Sequence, residues 1–171
     1  MNIYEDMINN NPLKTEEGHI EINNKGRLMF CRKDTIELAE KYGTPLFIYN
    51  EEKIRKNFCN MKKAFKKYYD KIEICFAFKS NSLLSILKVL KEEGAYADVV
   101  SGGEYFKAET AGFSNAKIVF NGNNKLENEI ATAVEKGSLI NVDSFCELEN
   151  VIKEAKKINR KANIAIRVNP N

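Results

Sequence analysis

The sequence lacks several features that would assign a protein class at once. In 171 residues it has no tryptophan, one histidine and three prolines. Its longest apolar runs stay far below the roughly 18 residues that a membrane-spanning helix needs. The opening MNIYEDMINNN also has no apolar stretch of the kind found in signal peptides. We therefore expect no membrane partner and a cytoplasmic location.

The cysteines and charges exclude further classes of site. Four cysteines lie far apart, at positions 31, 59, 75 and 146, without a C-x-x-C pair, which argues against a metal site or a disulfide framework. The formal net charge is only +3, and basic residues alternate with acidic ones, so no patch predicts nucleic-acid binding. With 43% hydrophobic and 30% charged residues, we expect a globular chain with one core.

The first 50 residues predict a hairpin, a short helix and a strand. Alternating residues 19–22 and 27–30 flank the turn NNKG, which is typical of a β-hairpin. Asp34 is placed to cap a helix that ends at Gly43. The apolar segment TPLFIYN, residues 44–50, then indicates another strand.

A basic amphipathic helix is predicted next, over residues 51–69. Ile54, Phe58, Met61 and Phe65 recur at steps of three and four residues, so they define one apolar face. The lysines between them are then expected to lie in solvent.

A regular repeat begins at residue 72. Five apolar segments recur about every 21 to 24 residues, and a helical stretch follows each of the first four. In chain order they are IEICFAF, YADVV, KIVFNG, LINVD and ANIAIRV. Asn81 or Ser82 is expected to begin the first of these helices, and Ser144 with Glu147 has the pattern of a capping box. Repeated βα units of this size predict a parallel sheet with helices outside it.

Two architectures fit this repeat: a doubly wound open sheet and a TIM (β/α)8 barrel. No G-x-G-x-x-G stands at the first strand–helix turn and no P-loop occurs, which disfavours the nucleotide-binding form of the open sheet. Eight βα units occupy about 200 to 250 residues, whereas the repeat here has five strands. A barrel of this sequence is therefore expected to be incomplete.

Polar residues follow the predicted strands at their carboxyl ends, where both architectures bind ligands. They are Lys79, Asp98, Ser101, Gly102, Gly103, Glu104, Asn121, Asp143, Arg167 and Asn169. A lysine held among apolar neighbours keeps a reactive amine, which a Schiff base to an aldehyde cofactor requires. A lysine at a strand end is more often simply solvated, so the residues alone leave its role open.

Five segments together resemble a known family. FAFKSNSLLSILKVL, ADVVSGGE, KIVFNGNNK, NVDSFCELE and RVNPN occur in this order and at these spacings in the amino-terminal part of the diaminopimelate decarboxylases. These are group IV decarboxylases, pyridoxal-phosphate enzymes built on the alanine-racemase-type barrel. The resemblance covers roughly residues 30–171. It implies an α/β fold: about five βα units of an incomplete barrel, preceded by the hairpin.

The resemblance also implies roles for four residues. Lys79 matches the lysine that forms a Schiff base with pyridoxal phosphate, and Asp98 matches the aspartate close to that lysine. Glu104 matches a supporting glutamate, and Arg167 matches the basic residue that completes the charged cluster near the cofactor ring. For Glu104 and Arg167 the alternative is an ion pair that only shapes the barrel mouth. The segment SGG at 101–103 is expected to turn tightly beside the site.

The implied reaction is decarboxylation of meso-2,6-diaminopimelate to L-lysine and carbon dioxide. The family implies that residues 1–33 pack with a carboxy-terminal β-domain, and that residues 34–171 are the first part of the cofactor-binding barrel. It also implies an amino-acid substrate and a homodimer for the complete protein. The family's phosphate-holding and substrate-binding segments find no match in this sequence, so we expect the 171-residue chain to be inactive alone.

Three alternatives to this function stay open. In the first, the chain is a fragment of a related decarboxylase of basic amino acids, such as ornithine or arginine. In the second, it is a non-catalytic regulator that pairs with a full-length homologue. In the third, it is a small pyridoxal-phosphate carrier.

Overall fold

The computed structural model describes residues 19–170. The chain divides into two compact units between Asn50 and Glu51. Expectations that concern residues 1–18, and Asn171 of the RVNPN segment, lie outside the described residues. The proposed domain boundary after residue 33 concerns packing against another domain, and it stays a prediction.

The first unit contains the predicted hairpin. Strand β1 (Ile20–Ile22) pairs antiparallel with β2 (Leu28–Phe30). The turn between them uses Gly26 in a left-handed conformation, with φ of 71°, and the Asn23 side chain accepts two backbone N–H groups of the turn. This prediction is confirmed. A short strand β3 (Lys33–Asp34), which we did not predict, pairs with β2.

Helix α1 (Thr35–Tyr42) begins and ends where the sequence predicts. The Asp34 carboxylate accepts the backbone N–H of Ile36 at 2.9 Å, and Gly43 ends the helix with a φ of 81°. Burial acts to raise the pKa of Asp34, but hydrogen bonds from Arg27 and from the first turn of the helix outweigh it and lower the pKa. Asp34 therefore caps the helix as an ionised carboxylate.

The predicted strand at 44–50 is wrong. Residues 46–50 carry no strand hydrogen bonding, because the strands of the described residues pair only within β1–β3 and within the second unit's sheet. An apolar, β-favouring segment becomes a strand only where a neighbouring strand supplies its backbone partners.

The second unit opens with the predicted amphipathic helix, α2 (Glu51–Lys66). Phe58 is buried and Ile54 packs against the core. Further along the same face, Met61 and Phe65 are more than half exposed. The apolar face is thus used only over its first half.

Five strands then form one parallel sheet, as predicted. They are β4 (Cys75–Ala77), β5 (Tyr96–Val99), β6 (Ile118–Phe120), β7 (Leu139–Val142) and β8 (Asn163–Ile166). Their spatial order follows their chain order without reversal. A doubly wound sheet reverses its strand order at a switch point, so the order observed here is that of a barrel. The described residues form an open sheet with β4 and β8 at its edges, not a closed barrel.

Four helices connect these strands. They are α3 (Leu84–Glu92), α4 (Gly102–Thr110), α5 (Glu127–Lys136) and α6 (Phe145–Lys157). Crossovers between neighbouring parallel strands are right-handed, which places all of these helices on one face of the sheet. In the part of the chain that the structure describes, no helix has the length and apolarity to cross a membrane.

The core lies between the sheet and these helices. Alternate strand residues facing the helices, such as Ala97, Ile118, Phe120 and Ile140, are fully buried. Residues between them, such as Asp98, are only half-buried and face the opposite side, which we call the inner face. The two-residue period of a strand thus separates core from inner face.

Helix starts were predicted with mixed success. Ser144 caps α6, as expected, by accepting the N–H of Glu147 at 3.2 Å. The Glu147 carboxylate accepts the N–H of Asp143 rather than that of Ser144, so the capping box is shifted by one residue. Neither Asn81 nor Ser82 caps α3, because a 3-10 turn intervenes and delays the helix to Leu84.

A buried ion pair fixes the carboxyl ends of two strands. The ammonium of Lys125, which is completely buried, lies 3.0 Å from Glu147. It also donates to the carbonyls of Gly122 at 2.6 Å and Asn141 at 2.9 Å. An ammonium has three N–H donors, and these three groups use them all. The loop after β6 is thereby tied to strand β7 and to the start of α6.

Replacing Lys125 with alanine is expected to lower the free energy of unfolding by about 3–5 kcal/mol, because it leaves Glu147 buried without its counter-ion. Urea denaturation followed by circular dichroism measures this. The matched control is Lys153→Ala, which removes an exposed pair with Glu127 of similar length, 3.1 Å, and is expected to cost less than about 1 kcal/mol. Equal losses in the two variants would show that the Lys125 pair is not a structural anchor.

Candidate active site

The inner face of the sheet gathers most of the predicted site residues. In the register of the sheet, Ala77 lies opposite Asp98, and Asp98 lies opposite Val119. The next inner-face positions toward the carboxyl ends are Asn121, directly after β6, and Asn141, within β7. This edge of the sheet is consequently polar, whereas the face toward the helices is apolar.

Lys79 lies in the 3-10 turn Phe78–Ser80 that follows β4. Phe78, 1% exposed, is buried against Phe113 with ring centroids 5.7 Å apart, and the Ser80 hydroxyl donates to the Ala77 carbonyl at 2.6 Å. These contacts fix the backbone on both sides of the lysine.

The Lys79 side chain itself is exposed. The apolar surroundings that the sequence suggested for its amine are therefore not formed by residues 19–170, because the open sheet does not enclose the inner face. No hydrogen bond or ion pair to another described residue engages the Lys79 ammonium. Its nitrogen is therefore not committed to any other group of residues 19–170.

Asp98 is the first member of a chain of three polar side chains across the inner face. Its Oδ1 accepts a hydrogen bond from Asn121 Nδ2 at 2.5 Å. Asn121 Oδ1 in turn accepts one from Asn141 Nδ2, also at 2.5 Å. All three side chains are half-buried, so these bonds lie at the boundary between sheet and solvent.

Glu104 contacts backbone and not the predicted charged cluster. Its Oε2 accepts the N–H of Val100 at 2.9 Å, and its own N–H is accepted by Ser101 Oγ at 3.3 Å. Glu104 thus fixes the turn between β5 and α4, directly after the strand that carries Asp98.

Arg167 forms an ion pair with Asp143 at 3.2 Å, and the arginine side chain is half exposed. The structure therefore does not pair Arg167 with Glu104, which was the alternative role considered for both residues. Arg167 N also donates to the Val142 carbonyl at 2.9 Å, which continues the hydrogen bonding between β7 and β8. The pair lies at the carboxyl ends of two adjacent strands.

The chain turns between β5 and α4 at Val100 and Ser101, so the expectation that the glycines of segment 101–103 form the tight turn is wrong. Gly102 and Gly103 open helix α4, and neither has a positive φ. Gly102 is instead in close contact with α5: its N–H donates to Glu129 Oε1 at 2.6 Å, and a Cβ atom there would lie 2.5 Å from that oxygen. Because the oxygen is the end of a flexible side chain, a larger residue at 102 would displace the carboxylate and weaken this hydrogen bond without a backbone clash.

Sequence reasoning missed Asn141 and Lys125, and it predicted Glu147 only as part of a capping box and not as the partner of Lys125. Asn141 alternates with the buried Ile140 and Val142, so the period of two already placed it on the inner face, and that signal was available. Lys125 and Glu147 carried no such signal, because they meet across 22 residues of sequence. Within residues 19–170, no group of three or more His, Cys, Asp or Glu side chains could hold a metal ion.

Gly122, which follows Asn121, is expected to tolerate no side chain. Its φ is +100°, and a Cβ atom would lie 2.8 Å from the Val100 carbonyl oxygen, a backbone atom that cannot rotate away. We expect Gly122→Ala to be less stable than wild type by about 1–3 kcal/mol more than Gly137→Ala. Gly137 is the matched control, since its φ is +77° and its Cβ position is open. Thermal and urea denaturation of both variants measure the difference, and equal losses would mean that the contact with Val100 is harmless.

Comparison with known proteins places this geometry in a family. Residues 51–171 match the model of the pyridoxal-dependent decarboxylases, pyridoxal binding domain. The chain is 39% identical to a diaminopimelate decarboxylase of Methanothermobacter thermautotrophicus over 88% of its own length and 35% of the relative's. It therefore spans about a third of the length of this relative.

Solved structures agree with this comparison. The chain is similar to diaminopimelate decarboxylase from Methanocaldococcus jannaschii in complex with L-lysine, with a TM-score of 0.82 and 41% identity over 90% of this chain and 36% of that one. A lysine/ornithine decarboxylase from Vibrio vulnificus, with a TM-score of 0.64 and 23% identity over 78% of this chain and 35% of that one, shares the fold alone. The incomplete alanine-racemase-type barrel expected from the sequence is confirmed, and the chain belongs to the family of pyridoxal-dependent decarboxylases.

Proposed function

We propose that this chain carries the cofactor lysine of a decarboxylase that converts meso-2,6-diaminopimelate to L-lysine and carbon dioxide. One observation carries the proposal: the Lys79 amine is exposed, and it follows the strand whose neighbour bears Asp98 on the same face. The identity of 39% with a diaminopimelate decarboxylase supports this assignment.

The residues present fit pyridoxal phosphate as the cofactor. An amine already committed to an ion pair would have to break it before reacting with an aldehyde, and Lys79 has no such pair among the described residues. Backbone anchoring by Phe78 and Ser80 limits where the amine can reach. Bound pyridoxal phosphate would supply an electron sink for the charge left when carbon dioxide departs.

The other predicted residues are proposed to act around this amine. Asp98 offers a carboxylate to an N–H donor of the cofactor or substrate. Arg167 places a positive charge at the carboxyl end of β8, where its pairing with Asp143 restrains it. Glu104 is proposed to support the site through the turn after Asp98, since its visible contact is with the Val100 backbone.

We propose diaminopimelate, and not ornithine or arginine, as the substrate because sequence identity is higher to a diaminopimelate decarboxylase than to a lysine/ornithine decarboxylase. The chain is 41% identical to a diaminopimelate decarboxylase whose structure contains L-lysine. L-lysine would be the product of the proposed reaction. The lysine/ornithine enzyme stands at 23%, a level that supports the fold and not the substrate. The homodimer and the cytoplasmic location remain parts of the proposal.

A regulator that pairs with a full-length homologue is the second candidate. Edge strand β8 leaves Ile166 70% exposed, and Val168 after it is 78% exposed. An open strand edge flanked by exposed apolar side chains favours pairing with another strand.

Lys79 is expected to react with pyridoxal phosphate faster than other exposed lysines. Limiting pyridoxal phosphate, sodium borohydride reduction and peptide mass mapping would give the labelling rate at each lysine. Lys79 follows the strand next to Asp98, whereas Lys88 is an exposed lysine of helix α3 on the other face of the sheet. We therefore expect labelling of Lys79 to exceed that of Lys88 by at least about tenfold, which corresponds to about 1.4 kcal/mol.

Two variants make this labelling test specific. Lys79→Arg keeps the charge but has no reactive amine, so it should abolish the fast-labelled site, while Lys88→Arg should leave it unchanged. Equal labelling of Lys79 and Lys88 in the wild-type chain would contradict the cofactor assignment.

The intact mass of the polypeptide purified from its own source, together with decarboxylation of diaminopimelate, separates the two candidate functions. A mass well above the 19.5 kDa of this chain, with activity lost in Lys79→Ala, is expected for the decarboxylase. A mass of 19.5 kDa, no turnover alone and co-purification with a full-length homologue would instead favour the regulator.

A further inference from the structure

The strongest unassigned feature is the chain of hydrogen bonds from Asp98 through Asn121 to Asn141. It lies on the inner face at the carboxyl ends of three adjacent strands. Each bond is 2.5 Å long. Neither asparagine has a role in the proposed function so far.

The chemistry of the three groups gives this chain a direction. An ionised carboxylate only accepts hydrogen bonds, so Asn121 must turn its NH₂ group toward Asp98. Its carbonyl oxygen then faces Asn141, which must present its own NH₂ group in turn. The charge of Asp98 therefore fixes the orientation of both amides, and the fixed amides in turn hold Asp98.

Both asparagines are held at their backbones as well. Asn121 N donates to the Val99 carbonyl at 2.7 Å, and the Asn141 carbonyl accepts from the buried Lys125 ammonium at 2.9 Å. Because the backbone of each asparagine is already held by a hydrogen bond, its side-chain amide loses little additional freedom when it joins the series from Asp98 to Asn141. The polar ends of two strands thus become a rigid support for one carboxylate.

The second oxygen of Asp98 is left uncommitted. Asn121 engages Oδ1, and no other residue among 19–170 donates to Oδ2. A carboxylate with one oxygen held and the other open is suited to a cationic or N–H donor that approaches from the inner face. Ala77 is the register partner of Asp98 and comes two residues before Lys79, so the donor would arrive next to the reactive amine.

We propose that Asn121 and Asn141 are positioning residues that hold Asp98 by Oδ1, so that Oδ2 stays open to an N–H donor of the bound cofactor or amino acid. This inference rests on the proposed function for its use at Lys79. The hydrogen-bond chain itself does not depend on that function, which allows the two to be tested separately.

The first test is nuclear magnetic resonance of the side-chain NH₂ groups in the 171-residue chain without any cofactor. Asp98→Ala should shift the NH₂ signals of Asn121 and also those of Asn141, which does not contact Asp98. The exposed Asn124, in the loop after β6, is the internal control and should not move. Unmoved Asn141 signals in Asp98→Ala would overturn the directed series of hydrogen bonds, whether or not the polypeptide is active.

The second test measures labelling of Lys79 by pyridoxal phosphate, with borohydride trapping as above. Asn121→Leu keeps similar volume but removes the donor, and we expect about a tenfold lower rate, as for loss of one hydrogen bond to a charged group. Asn141→Ala should give a smaller loss, and Asn124→Ala none. The stability of each variant, measured by urea denaturation, shows whether a rate loss is merely unfolding.

The outcomes separate the two proposals. Slower labelling in a stably folded Asn121→Leu, together with coupled amide signals, supports the positioning role. Wild-type labelling rates in both asparagine variants would overturn it even if the chain of bonds exists. Absence of preferred labelling at Lys79 in the wild-type chain would count against the cofactor assignment, while the amide signals would still decide whether Asn121 and Asn141 hold Asp98.

Discussion

One buried ammonium organises the functional edge of this sheet. Lys125 donates hydrogen bonds to Glu147 and to the carbonyls of Gly122 and Asn141. One side chain thus holds two strand ends and the start of a helix together. Burying a charge is costly unless its partners are also present. Loss of Lys125 or of Glu147 would therefore leave the other charge buried without compensation. Because Glu147 also accepts the N–H of Asp143, the geometry of Asn141 and of the pair between Asp143 and Arg167 depends on the same contact.

The same local device occurs in two βα units with different consequences. In each, a serine caps the helix and the glutamate three residues later accepts the N–H of the residue before that serine. Glu147 is buried and has Lys125 as its counter-ion, whereas Glu104 is only half-buried and has no basic partner in the described residues. Local sequence determines the cap in both units, but the charge environment of the carboxylate comes from a loop more than 20 residues away in sequence.

The two faces of the sheet have different roles: one packs against the helices, and the other carries the polar groups of the candidate site. On the three central strands, the residues toward the helices are apolar and buried, and they fix the strand positions to within packing tolerance. The inner face holds the polar groups, whose mutual hydrogen bonds replace contacts with a core. A carboxylate, two amides and an exposed amine lie together on this half-open face, which is the surface used in the proposed cofactor binding, and the chain belongs to the pyridoxal-dependent decarboxylases.

The sequence by itself determined the hairpin, the five strands, the cap at Asp34 and the position of Lys79 directly after a strand, because each depends on neighbours within a few residues. It also carried, in the alternation around Asn141, an inner-face signal that we did not use. Tertiary structure alone decided four features. These are the failure of 44–50 to form a strand, the exposure of Lys79, the ion pair of Arg167 with Asp143, and the close contact of Gly102 with Glu129. Each of these depends on whether a distant segment supplies a backbone partner, an enclosing wall, a counter-charge or a close contact, and local periodicity contains no information about those distances.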